Sequence, residues 1–68
     1  MSTSSDLARL SSLGAQLDEI GSRITEMAER YGESPDSAVA TELFGAERAL
    51  FATGRSLDRA RSMLEDMT

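Results

Sequence analysis

The side chains of this sequence that could do chemistry are carboxylates and guanidinium groups; there is no histidine and no cysteine. Asp18 and Glu19 are adjacent, as are Glu65 and Asp66. Paired acids can hold a hard cation or divide the roles of acid and base. On a helix, however, neighbouring side chains diverge by about 100°, so neither pair converges on one atom. Arg48, Arg55 and Arg59 recur at helical spacing. Such a stripe could meet an anion or an acidic partner; it reads more simply as a solvated face balancing Glu47, Asp58 and Glu65. Arg55-x-x-Asp58 sets a guanidinium and a carboxylate one turn apart, but two fixed positions in four select no ligand. Zinc sites of the Cys/His type are excluded, and metal sites of four-helix bundles use Glu-x-x-His, which is absent. The sequence therefore predicts no catalytic residue, no metal site and no cofactor, and a chain that is not an enzyme.

Composition narrows the partners. Twelve acids stand against seven bases in 68 residues, a net charge of −5, and every base is arginine. An acidic chain repels phosphate backbones and anionic lipid, so nucleic acid and membrane surfaces are disfavoured. The longest apolar run, Ala49 to Ala52, is far too short to span a bilayer. The first residues, Met1-Ser2-Thr3-Ser4-Ser5-Asp6, lack a basic segment followed by an apolar one, and the expected location is cytoplasmic. A chain of this length draws only ~3–5 kcal/mol from a single core. Without a disulfide, oligomerisation or a larger partner is the remaining reinforcement.

The elements that would position these groups are two long amphipathic helices. From Val39 to Met67 apolar or small residues alternate at spacings of four and three: Val39, Leu43, Ala46, Leu50, Thr53, Leu57, Ala60, Leu64, Met67. That is the seam of a helix lying along another. Leu10, Leu13, Leu17, Ile20, Ile24, Met27 and Tyr31 repeat the pattern upstream. The expected fold is all-α: one domain over residues 1–68, with a helix from about Ser5 to Tyr31, a turn at 32–35 and a helix from about Pro35 to Glu65. Thr3-x-x-Asp6 fits a capping box, and Ser4 or Ser5 could also cap the first helix. Gly32 reads as a left-handed residue past its end. Ser34 reads as the cap of the second, with Pro35 and Asp36 in its first turn. The second helix contains Gly45 and Gly54, yet Leu43, Leu50, Leu57 and Leu64 keep phase through both, which predicts one continuous helix. Glu65 and Asp66 carry the wrong sign for a C-terminus and predict fraying.

Folding the hairpin pairs residues whose numbers sum to about 66 or 67, given equal rise along both helices. The predicted seam is Leu10, Leu13, Leu17, Ile20, Ile24 and Met27 against Val39, Leu43, Leu50 and Leu57. A second set is left for an interface: Leu7, Gly14, Gly21 and Ala28 on the first helix, and Phe44, Phe51, Met63, Leu64 and Met67 on the second. Phenylalanines of one copy over the glycines of another would close a four-helix bundle. The functional expectation is a small non-enzymatic interaction protein, an adaptor, regulator or scaffold. Its expected partners are itself, as a homodimer, and a larger unidentified protein.

In length and layout the chain is similar to plasmid copy-number regulators, helical hairpins that dimerise and grip RNA; the arginine stripe would then be the RNA contact. It also resembles in layout the WXG family of small secreted helical hairpins, which often work as heterodimers. Here Tyr31-Gly32 stands where that family has Trp-Gly, and the tail signal of a tyrosine followed four residues later by an acid is missing.

Overall fold

A computed structural model describes residues 2–32, 35 and 37–67. Two helices, α1 over Thr3–Tyr31 and α2 over Ser37–Asp66, pack side by side as an antiparallel pair, and no strand occurs among the described residues. The hairpin is a rod of 52 × 14 × 13 Å.

Local chemistry fixes the ends of the helices. α1 starts two residues before the expected point, because Ser2 rather than Thr3, Ser4 or Ser5 is its cap. Ser2 is extended at φ −100°, ψ 145°, and its Oγ accepts from the Ser5 N–H at 3.1 Å. Asp6 follows in the first turn, where a carboxylate suits the helix dipole. Ser2→Ala should therefore lower stability by about 1 kcal/mol. Thermal unfolding followed by circular dichroism checks this, and an unchanged midpoint would mean that the cap is replaced by water at no cost.

At the other end Gly32 is not left-handed. It has φ −62°, ψ −31°, and its N–H reaches the Glu29 carbonyl at 3.4 Å, so α1 tightens into a short-range bond rather than ending in a left-handed cap. The expected capping role of Ser34, the turn residue Glu33 and the first-turn carboxylate of Asp36 lie outside the described residues. α2 begins at Ser37, two residues after Pro35, and runs unbroken through Gly45 and Gly54 to Asp66. Its last turn has no basic residue, and the Met67 N–H donates to the Leu64 carbonyl at 3.1 Å.

The antiparallel arrangement is the predicted one, with grooves between the helices lined by residues 17–26 and 47–58 and by residues 10–18 and 54–61. The rotation of each helix about its own axis is not. The residues of α1 turned towards α2 are Leu7, Leu10, Gly14, Leu17, Gly21, Ile24, Ala28 and Tyr31, all buried or half-buried. Ala40, Leu43, Leu50, Gly54, Leu57 and Leu64 answer them on α2, again buried or half-buried. Leu13, Ile20, Met27 and Val39, placed in the seam by their spacing, stay 46 %, 44 %, 42 % and 43 % exposed.

The turn end supplies a reason. A short connection draws the helices close there, and alanine admits that approach where Met27 and Val39 would not. Ala28 and Ala40, at 0 % and 4 % exposure, are the buried residues of the described chain.

Candidate interaction surfaces

The leucine and isoleucine rows, Leu10–Leu17–Ile24 and Leu43–Leu50–Leu57–Leu64, run along the middle of the hairpin and divide its surface into two sides. Counting one helical step from them in either direction gives each side its residues.

One side is apolar. α1 contributes Leu13, Ile20 and Met27, a ridge of large side chains seven residues apart. α2 contributes Val39, Ala46, Thr53 and Ala60, a stripe of smaller ones, followed by Met67. Met63 flanks this stripe, and the open end is its most exposed part, with Met63 at 68 % and Met67 at 74 %. The Thr53 hydroxyl donates to the Ala49 carbonyl at 3.0 Å. Its hydrogen bond is thus already made within α2, and burying this stripe strands no polar group.

The other side is a groove with apolar walls and a charged rim. A cavity of about 600 Å³ is walled by Leu17, Gly21, Leu50, Phe51 and Gly54 and rimmed by Asp18, Glu26, Glu47, Asp58 and Arg55. A smaller one of about 310 Å³ continues towards the open end past Gly14, Ala15 and Arg61. Phe51, 57 % exposed, stands in this groove, and Phe44 lies on the same side, one heptad earlier and half-buried. The large aromatics are therefore turned away from the apolar face.

The glycines that were expected to receive a partner's bulk lie along the grooves between the two helices of the hairpin. Gly14, Gly21 and Gly54 line the grooves, and a Cβ built on any of them meets no atom within 4 Å. Leu7 and Ala28 lie in the same internal row as Gly14 and Gly21.

The charged candidates do not converge. Arg59 Nη2 donates to its neighbour Ser56 Oγ at 3.1 Å. Arg55 opens onto the first groove among four carboxylates, and Arg48 and Arg59 line neither groove. An anion entering beside Arg55 would meet net negative charge.

Arg61, which spacing did not single out, is the cation closest to the hairpin contact. It is half-buried, its Nη2 lies 3.7 Å from Asp58 Oδ1 and its Nε 4.0 Å from Glu65 Oε1, and its Nε makes no hydrogen bond. Its position seven residues after Gly54 in the inward row was the available signal. Arg23 is held by Glu19 at 2.6 Å on the water-exposed surface of α1. Among the described residues no group of three or more acids could hold a metal ion, and no helix is long and apolar enough to cross a membrane.

In comparisons with family models, curated proteins and solved structures, none matches the chain.

Proposed function

We propose that this chain is a small non-enzymatic helical interaction module, which pairs with a second copy of itself through its apolar face and offers the resulting bundle to a larger protein as an adaptor, regulator or scaffold. The observation that carries this reading is the continuous row Leu13, Ile20 and Met27 beside Val39, left in water on a hairpin in which the buried residues among those described are two alanines. Two helices cannot bury three apolar rows each; four can.

Surface area supports the same reading. A compact monomer of this mass exposes about 4,200 Å², whereas the hairpin exposes 5079 Å². The excess of about 900 Å² is close to the share one partner gives up in a standard protein–protein interface.

The test is the solution mass of the purified chain over a dilution series, by light scattering, with circular dichroism on the same samples. The expected result is a strongly helical species of twice 7.3 kDa that loses helicity as dilution separates the copies. A fully helical monomer at every concentration would overturn the proposal.

A further inference from the structure

We infer that two copies pair about a two-fold axis running along the hairpin, with both turns at the same end, so that α1 of each copy lies over α2 of the other. The inference rests on the self-association proposed above and specifies its geometry. Two hairpins stacked face to face by a two-fold axis have two choices. An axis along the helices puts α1 over the partner's α2. An axis across them puts α1 over the partner's α1, with turns at opposite ends.

Side-chain size separates the two. The apolar face is asymmetric: α1 carries the large residues Leu13, Ile20 and Met27, and α2 carries the smaller row Ala46, Thr53 and Ala60. Same-end pairing sets the large row of each copy over the small row of the other, so every helix pair keeps one spacing and no void opens. Opposite-end pairing stacks ridge on ridge along one edge and small on small along the other, which leaves a wedge.

Charge separates them independently. The outer flank of the α1 ridge, four residues before each large residue and three after the last, is Arg9, Gln16, Arg23 and Arg30, all exposed. The matching flank of α2 is Glu42, Ala49, Ser56 and Met63. Same-end pairing brings the arginine flank to one that holds an acid and no base. Opposite-end pairing brings it to another arginine flank, with Arg9 near the partner's Arg30, and Glu19 neutralises Arg23 alone. Same-end pairing also gathers Met63 and Met67 of both copies at one pole, where flexible thioether side chains would meet the larger partner.

The chain has no cysteine, so introduced thiols report cleanly. Arg23→Cys, Glu42→Cys and Ala49→Cys variants would be refolded separately and as mixtures of the first with each of the others, treated with a short bifunctional thiol reagent, and weighed by light scattering before treatment. In same-end pairing the arginine flank meets this α2 flank across the α1–α2 contact between copies, while within one copy the two flanks point to opposite edges. The expected result is a covalent dimer in at least one mixture, at least tenfold above either of its variants alone. Mixtures that weigh as dimers but give no excess of mixed product, or an Arg23→Cys sample that links to itself, would overturn the orientation and leave self-association standing. A monomeric mass for the unaltered chain would remove both.

Discussion

The double variant Leu13→Glu, Ile20→Glu is expected to run as a monomer of 7.3 kDa and to lose most of its helical signal at micromolar concentration. Both residues sit near the middle of the apolar face at 46 % and 44 % exposure, so the free hairpin tolerates carboxylates there with little strain. The paired state does not. Each substitution forfeits about 1.5–3 kcal/mol of apolar burial and adds the desolvation of an unpaired charge, in both copies. A penalty above about 6 kcal/mol per dimer weakens association by roughly 10⁴-fold. Helicity follows association, because helices of this kind owe most of their stability to packing. Phe51→Ala is the matched control. Phe51 projects into the groove on the opposite side of the hairpin, so its loss should leave the mass unchanged. If the double Glu variant still dimerised and Phe51→Ala did not, the interface would be on the groove side.

Replacing Gly14, Gly21 and Gly54 together by alanine is expected to raise the thermal midpoint by roughly 10–20 °C. Glycine inside a helix costs up to about 1 kcal/mol against alanine, and in a chain of this size each kcal/mol moves the midpoint by about 4–8 °C. The three positions are mid-helix, and an added methyl meets no atom within 4 Å at any of them. The gain is therefore not offset by a clash, and unfolding followed by circular dichroism reads it directly. A fall in the midpoint would mean that something fills the groove in the assembled protein, as the expected fit of phenylalanines onto glycines would require.

Much of the architecture could be read without coordinates. Heptad spacing of Leu43, Leu50, Leu57 and Leu64 is insensitive to single glycines, so α2 is continuous where Gly45 and Gly54 might have broken it. The break near Gly32 and the antiparallel arrangement of the helices followed from helix length and a short connection. Helix ends were less legible, because Ser2, Thr3, Ser4 and Ser5 can all cap, and spacing cannot choose among neighbours with the same chemistry.

What the sequence by itself determined was therefore two long helices, their antiparallel arrangement and the excess of apolar surface they carry. Only the tertiary structure decided how each helix is turned about its axis. The central row of leucines is flanked on one edge by Gly14, Gly21 and Ala28 and on the other by Leu13, Ile20 and Met27, and either edge completes a three-four seam. Spacing is identical for both, so periodicity has no means of preferring one. The turn end does: helices joined by a short connection approach closely through Ala28 and Ala40, which are buried, and the larger edge is turned out to water. That rotation moves the candidate interface from the phenylalanines to the row of Leu13, Ile20 and Met27, and it depends on inter-helix distance, a quantity that no single helix encodes.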